Sequence, residues 1–201
     1  MSHSQLIDKT TFDQIVGRFA ENYEKCGGSK PLRFYLVGGA AITLMFDYRS
    51  ATIDIDAYFD KSNIVKQAIE LTAKEQGLRS DWLNDEFIHT PSFSERIIEK
   101  SVFYRSYGKY VEVFSLETKY LIAMKLKSSR PTSNDLDDII KMIYETRANG
   151  KELSFADVMD AYNELYPDFS NTFDYFIDET KKAFETPIED VKLIIHPSIF
   201  D

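Results

Sequence analysis

The sequence has little of what extracellular, membrane-spanning or zinc-binding proteins need. Its single cysteine, Cys26, cannot form an internal disulfide, which favours a reducing compartment. No apolar run reaches the roughly 18 residues that a membrane-spanning helix needs. The first residues lack the basic-then-apolar pattern of a secretion signal. The three histidines are far apart, without zinc-ligand spacing. These absences predict a cytoplasmic protein with no membrane partner.

Positive charge is scarce in the last quarter of the chain. The net charge is −9; residues 1–150 hold 21 acidic and 20 basic side chains, whereas residues 151–201 hold 12 and 4. Because phosphate affinity comes from Lys and Arg, a general nucleic-acid binder is not expected. We predict a domain over residues 1–150 with an acidic helical extension, 151–201, packed on it. The acidic segment is either a solvated face or a docking surface for a basic partner.

What the chain does contain is a short apolar segment that ends in two glycines. Residues 34–37 (FYLV) stop at Gly38-Gly39, and the apolar, alanine-rich residues 40–46 follow, which predicts a strand, a turn and a short helix. Two glycines allow a sharp turn and a close approach of a ligand to the main chain. If the helix begins just after Gly39, its N–H groups can bind phosphate, although such a pair also occurs in plain loops.

Two aspartates, Asp54 and Asp56, follow within the sequence TIDID. In a strand both would lie on one face, with Ile53, Ile55 and Ala57 on the other. Two neighbouring carboxylates repel each other, so the pair indicates a cation, and oxygen ligands of this kind suit Mg²⁺ together with substrate phosphates. The alternative is a solvated sheet edge. Because Asp is depleted in strands and the flanking residues are isoleucines, we favour the metal site.

The segment VGGAAITLMF followed by RSATIDID resembles the signature of DNA polymerase β-type nucleotidyltransferases. Within that superfamily it is most similar to the AbiEii-like nucleotidyltransferases of abortive infection and toxin–antitoxin systems. The resemblance implies an α+β fold with a mixed sheet flanked by helices. It also implies Mg²⁺, or Mn²⁺ in its place, at Asp54 and Asp56, and an NTP such as ATP as donor. The chain departs from the pattern at Gly39, which replaces a serine, and in a slightly long spacer before Asp54.

Two further residues are candidates for the same site. Arg49, just before the second strand, either contacts phosphate or pairs with an acid. The alternating segment 102–114 predicts a hairpin that turns near Gly108. In the superfamily a third carboxylate often comes from a later strand beside the Asp-x-Asp strand. Glu112 is the candidate, as a metal ligand or as the base for the acceptor hydroxyl, and an exposed strand glutamate is the equal alternative.

A second block, residues 115–143, combines the end of one predicted helix with the start of the next. The first helix is capped by Ser115 and the second by Ser133 or Asn134, with Pro131 between them. Charge complementarity at helix ends would by itself explain bases followed by acids. The block also resembles a second block of the same toxin-type family. That resemblance implies that a lysine faces the nucleotide phosphates while two aspartates orient it and an arginine; the four residues are Lys125, Arg130, Asp135 and Asp138.

The remaining segments read as helices and loops. Apolar periodicity predicts helices over 10–25 and 62–76, and a poor pattern over 80–101 predicts loops with short elements. Ser154 and Asp157 resemble a capping box before an apolar stripe, and a further helix is expected over 169–184.

The two blocks together predict an Mg²⁺-dependent nucleotidyltransferase. It would move NMP from an NTP to a hydroxyl of RNA, for which a tRNA end is the family's favoured acceptor, or of protein. The resemblance implies a toxin-like role with a cognate antitoxin as partner. Two alternatives stay open: a catalytically silent fold that binds nucleotides or proteins, and an interaction protein whose acidic C-terminal quarter docks a partner.

Overall fold

The computed structural model describes residues 6–130, 133–167 and 174–195. The chain divides into two compact units, Met1–Ile88 with Ile98–Leu116, and His89–Ile97 with Glu117–Asp201. This division falls elsewhere than residue 150, and our boundary between a domain and an acidic extension stays a prediction. The first unit holds the helices α1 (Lys9–Lys25), α2 (Gly38–Met45) and α3 (Asn63–Gln76), and the strands β1 (Leu32–Leu36), β2 (Ile55–Tyr58), β3 (Leu83–Asn84), β4 (Ser101–Tyr107) and β5 (Val111–Leu116).

The strands form a mixed sheet in the order β3-β2-β1-β5-β4. Strand β1 is antiparallel to β2 and parallel to β5, and β3 is parallel to β2. Strands β4 and β5 form the predicted hairpin, which turns at Gly108 with a positive φ of 57°. A mixed sheet flanked by helices confirms the predicted α+β, nucleotidyltransferase-like fold.

One face of this sheet packs against helices and forms a hydrophobic core. The rings of Phe19 on α1 and Phe34 on β1 lie 5.2 Å apart, and Trp82 lies 6.2 Å from Phe19. The indole N–H of Trp82 donates to the carbonyl of Ile69 on α3 at 3.2 Å, which satisfies the polar group of a buried ring. The apolar stripe of α1 is buried as its periodicity predicts.

Strand β2, which was predicted to carry both Asp54 and Asp56, begins later than predicted. Ile55 and Ala57 are buried and Asp56 is half-buried between them, as alternation requires. Asp54, however, lies in a bend before β2, and Ile53 is 47% exposed rather than buried. The alternation of buried and exposed side chains therefore begins only at Ile55, so it does not place Asp54 on the same face as Asp56.

The second unit is helical within the described residues. It holds α4 (Thr118–Ser128), α5 (Asp135–Ala148), α6 (Phe155–Leu165), α7 (Asp174–Glu185) and α8 (Ile188–Ile195). Helix α4 packs against α5 and α6, and α5 packs against α7 and α8. The capping box of α6 is confirmed, because Ser154 Oγ accepts from the Asp157 N–H at 3.1 Å and Asp157 Oδ2 accepts from the Ser154 N–H at 2.8 Å.

One helix-cap prediction needs correction in this region. Ser115 does not cap α4, because it is buried in β5 and its hydroxyl lies 3.2 Å from Met45 Sδ; Glu117 is the cap instead. The helix expected over 169–184 corresponds to α7, while residues 169–173 of that prediction, like Pro131, lie outside the described residues. Among the described helices, none combines the length and the apolarity that crossing a bilayer requires.

Candidate functional site

The Gly-Gly turn forms the start of helix α2. Val37 is the N-cap in extended conformation, and the carbonyl of Val37 accepts from the N–H of Ala41 at 3.4 Å. Gly38 has a φ of +58°, which strongly favours glycine. The first N–H groups of a helix have no partner within it, so those of Gly38 and Gly39 are suited to bind an anion.

Asp56 lies directly against this turn. The N–H of Val37 donates to the carbonyl of Asp56 at 3.0 Å, which joins β2 to the chain just before α2. A Cβ built at Gly38 would lie 3.1 Å from Asp56 Oδ2. The absence of a side chain at Gly38 therefore lets a carboxylate sit beside the helix N-terminus.

Arg49 and Thr52 lie over the second glycine. A Cβ at Gly39 would lie 2.9 Å from both Arg49 Nη2 and Thr52 Oγ1. Thr52 is fixed there because its backbone forms an isolated antiparallel bridge with Ile7. A guanidinium group and a hydroxyl group thus stand at the helix N-terminus, where the chain has no serine. Arg49 was expected near the site from the sequence, whereas Thr52 was not.

Asp54 is half-buried in an acidic neighbourhood. Burial and the negative charges of Asp81 and Glu86 raise the pKa of Asp54 above its ordinary value, although the positive charges of Arg79 and Arg49 act against this. The raised pKa means that burial disfavours the charged form of this carboxylate more than the two arginines favour it.

The prediction that Glu112 comes from the strand beside Asp56 is wrong. Glu112 lies on β5, and β1 separates β5 from β2 in the sheet. Glu112 pairs with Arg33 Nε on β1 at 3.0 Å. The backbone of Asp56 pairs with Val37, which follows the end of β1 four residues after Arg33, roughly 13 Å further along the strand direction.

Strand β2 lies between β1 and β3, and β3 brings other acids to the area. Asn84 is in register with Asp56, and the next residue, Asp85, is buried and paired with Lys61. Glu86, one residue further, is close enough to raise the pKa of Asp54. Sequence reasoning missed Asp81 and Glu86, although the acidic content of residues 81–86 was a signal that it could have used.

The predicted residues of the second block form one cluster. Lys125 Nζ, near the end of α4, lies 2.8 Å from Asp135 Oδ1 and 2.7 Å from Asp138 Oδ2 in the first turn of α5. Arg130 donates from Nε and Nη2 to the two oxygens of Asp135 at 3.1 and 3.3 Å. Both aspartates contact the lysine, and Asp135 also contacts the arginine.

Asp135 is buried, with a side chain that is only 2% exposed. Burial alone would raise the pKa of this carboxyl group, but hydrogen bonds from Arg130, Lys125 and Ser133 and the charge of Lys125 hold the pKa well below its ordinary value. The cluster of Lys125, Arg130, Asp135 and Asp138 is thus balanced in charge and internally hydrogen-bonded.

A family model described as a nucleotidyltransferase of unknown function, DUF6036, matches residues 18–181. No curated protein matched the chain, and no solved structure did. The family match spans most of the chain, from within α1 to within α7. It includes the Gly-Gly turn, Asp54 and Asp56, and the Lys125 cluster. The chain therefore belongs to the DUF6036 family of nucleotidyltransferases of unknown function.

Proposed function

We propose that this protein transfers a nucleoside monophosphate from an NTP to a hydroxyl group of a macromolecular acceptor. The observation that carries the proposal is the contact between Asp56 and the Gly38 turn, where a Cβ would lie 3.1 Å from the carboxylate. A carboxylate beside a helix N-terminus repels a bare phosphate, but together with a cation it binds one. Nucleotidyl transfer is chemistry that needs this combination.

The residues present fit Mg²⁺ as a metal that arrives with the nucleotide. Among the described residues there is no group of three His, Cys, Asp or Glu side chains placed to hold a metal ion. Mg²⁺ is commonly bound by one or two carboxylates plus waters and substrate phosphates, so Asp56, with Asp54 close to it in the chain, would be the residues that hold it. When bound, Mg²⁺, or Mn²⁺ in its place, would neutralise charge on the phosphates.

The chain's own residues would position the nucleotide. The N–H groups of Gly38 and Gly39 would donate to phosphate oxygens, and the guanidinium of Arg49 lies beside Gly39 to add positive charge. The acceptor oxygen forms a bond to the α-phosphorus, the bond to the β-phosphate oxygen breaks, pyrophosphate leaves, and the hydroxyl proton passes to water. Positioning and electrostatics carry such a reaction. A phosphate contact of Lys125 stays a prediction from the sequence resemblance.

The resemblance to AbiEii-like enzymes extends the proposal to a toxin-like role with RNA, such as a tRNA end, as acceptor and an antitoxin as partner. A catalytically silent, nucleotide-binding protein is the second candidate. The observation that favours it is the lack, among the described residues, of a third carboxylate that completes a metal cluster with Asp54 and Asp56.

One labelling experiment separates these functions. Each α-labelled NTP is incubated with Mg²⁺, cell RNA and cell protein, in the presence of wild type or Asp54→Ala. Label on RNA or protein that disappears with Asp54→Ala supports transfer and names the donor and the acceptor class. Absence of label with every NTP, from a protein that still binds Mg-NTP, would refute transfer and support the silent binding protein.

A further inference from the structure

A row of aromatic side chains crosses four neighbouring strands on the face of the sheet that is not the hydrophobic core. Tyr35 on β1 pairs with Tyr58 on β2 and with Phe114 on β5. Phe114 in turn pairs with Phe103 on β4. Directly paired residues lie on the same face of a sheet, so the four rings form a continuous line. The aromatic row is defined as Tyr58, Tyr35, Phe114 and Phe103.

The rings of the aromatic row are accessible and ordered against each other. Tyr35 and Phe114 stack with centroids 5.2 Å apart and planes 27° apart. Phe103 meets Phe114 edge-on at 5.7 Å and is itself 58% exposed. The guanidinium of Arg33 lies over the Phe114 ring at 5.9 Å. This is a partly exposed aromatic surface with a cation beside it, and Phe103 is its most exposed ring.

The aromatic row is not explained by the core. On β1 the alternate residues Leu32, Phe34 and Leu36 are buried on the other face, whereas Tyr35 is half-buried. A cavity of about 390 Å³ lies beside two members of the aromatic row, and its lining includes Arg33, Tyr35 and Tyr58. That volume is in the range of small-ligand pockets.

The position of the aromatic row relative to Asp56 suggests which substrate it meets. Asp56 and Tyr58 share one face of β2, two residues apart, which is roughly 7 Å. The Gly38 turn lies on the other side of Asp56, beyond the end of β1. In phosphoryl transfer the attacking and leaving oxygens are roughly in line. With pyrophosphate at the Gly38 turn, the attacking group therefore approaches from the side of the aromatic row.

The geometry points to a binding site for the unpaired bases of a single-stranded polynucleotide acceptor on the aromatic row. This inference rests on the proposed function for the direction of approach, but not for the arrangement of the rings. Bases stack on aromatic and guanidinium planes whatever their sequence. Because the chain is acidic, stacking rather than phosphate neutralisation would carry the affinity, so the dependence on salt is expected to be shallow. A second copy of the chain meeting the exposed edge strand β4 is the competing occupant.

The test measures binding without NTP or divalent metal. Labelled RNA and DNA oligonucleotides of about ten unpaired nucleotides, and a fully paired duplex of the same sequence, are titrated by fluorescence anisotropy at two salt concentrations. The proteins are wild type, Tyr35→Leu/Phe114→Leu, and Tyr175→Leu. The last is the matched control, because Tyr175 is an equally large tyrosine, 61% exposed, on α7 rather than on the sheet.

We expect wild type to bind the single strand more tightly than the duplex, and the double variant to weaken single-strand binding by about tenfold or more. Tyr175→Leu should bind as wild type does. Comparison of the RNA and DNA arms tells which sugar the acceptor carries. If the double variant fails to fold by circular dichroism, the single variant Phe103→Ser, at the most exposed ring, should still show a severalfold loss.

Equal affinity of wild type and folded row variants, or a preference for the duplex, would overturn the inference. The inference would also be overturned if wild type is a dimer and the same variants convert it to monomers without any change in oligonucleotide affinity. Absence of oligonucleotide binding by wild type, together with label transfer to protein, would sink the inference and leave the proposed function intact. Oligonucleotide binding on the aromatic row without transfer of any NMP would do the reverse.

Discussion

Two aspartate pairs in the molecule differ in how their negative charge is compensated. At Asp54 and Asp56, partial burial and acidic neighbours raise the pKa of Asp54. At Asp135 and Asp138, Lys125 and Arg130 make direct ion pairs, and the pKa of Asp135 is lowered despite its burial. The second pair is neutralised by the chain itself. At the first pair, burial disfavours the charged form of Asp54 more than the neighbouring arginines favour it, which is the behaviour we propose for a metal-nucleotide site rather than a structural ion-pair cluster.

Removal of Asp54 or Asp56 should slow transfer strongly, and removal of Asp54 should not weaken the fold. We expect Asp54→Asn or Asp56→Asn to slow NMP transfer by about a thousandfold, because several kcal/mol of electrostatic stabilisation come from the cation they hold. The free energy of unfolding of Asp54→Asn should stay the same or rise, since burial and the charges of Asp81 and Glu86 disfavour the charged form of Asp54. Transfer assays and urea denaturation measure the two effects. A large loss of stability in Asp54→Asn would show that this pair is structural, like the other.

Removal of a compensated carboxylate should do the opposite. Asp135→Asn should lower the free energy of unfolding by about 3–5 kcal/mol, because it leaves the largely buried Lys125 without one of its two charge partners. The matched control is Asp137→Asn, which breaks only the exposed pair with Lys141 and should cost less than about 1 kcal/mol. Urea denaturation at pH 7 gives both values. Equal losses in the two variants would contradict the account of the buried cluster.

The two sites should also respond to acid with opposite signs. The folded pKa of Asp135 lies below its ordinary 3.8, so its contribution to stability is present above that pH and falls as pH drops through the folded pKa. The folded pKa of Asp54 lies above 3.8, so its protonation adds stability as pH falls from the folded pKa towards 3.8.

Unfolding free energies of wild type, Asp54→Asn and Asp135→Asn between pH 7 and pH 3 test this contrast. The advantage of wild type over Asp135→Asn should shrink at the lowest pH. Any deficit in unfolding free energy of wild type relative to Asp54→Asn should shrink already at mildly acidic pH, because Asp54 takes up its proton there. Parallel pH profiles for all three proteins would argue against the assigned pKa directions.

A smaller effect is expected from the turn beside Asp56. Gly38→Ala should cost about 1–2 kcal/mol of stability, because its φ of +58° disfavours a side chain. The new Cβ would also press on Asp56 Oδ2, so NTP affinity should fall in parallel. Gly77→Ala is the control, since its φ is +66° but nothing lies within 4 Å of its Cβ. It should lose similar stability while its nucleotide affinity is unchanged.

The smallest effect should come from Glu112. Its ion pair with Arg33 is exposed, and Glu112 lies away from Asp56 along the sheet. Glu112→Gln should therefore change stability by less than about 1 kcal/mol and transfer by no more than about threefold. A loss comparable to that of Asp56→Asn would restore Glu112 as the third carboxylate. The same labelled-NTP assay decides the matter.

The features that sequence could predict are the local ones. The stripe of α1, the hairpin around Gly108 and the capping box at Ser154 each depend on residues that are neighbours along the chain. The glycine turn was predictable because a short apolar strand before it and an apolar helix after it leave few alternatives. The Lys125 cluster came from the family resemblance, and the structure gives its contacts.

What sequence could not predict depends on pairing between distant segments. Strand β3 has only two residues, Leu83 and Asn84, and exists because β2 offers it a parallel partner. The order of strands decides that Glu112 lies one strand removed from β2, and no local pattern encodes that order. The packing of Thr52 and Arg49 over Gly39 likewise depends on the bridge to Ile7, 45 residues earlier than Thr52.

The most direct test of the central claim is whether Asp54 and Asp56 create a cation site that is completed by nucleotide. A Mn²⁺ titration followed by electron paramagnetic resonance, with and without a non-hydrolysable NTP analogue, measures this in wild type and in Asp54→Asn/Asp56→Asn. The account predicts weak Mn²⁺ binding by wild type alone and much tighter binding with the analogue. The double variant should bind Mn²⁺ neither alone nor with the analogue, while Asp137→Asn should behave as wild type. Equal Mn²⁺ binding by wild type and the double variant in the presence of the analogue would contradict it.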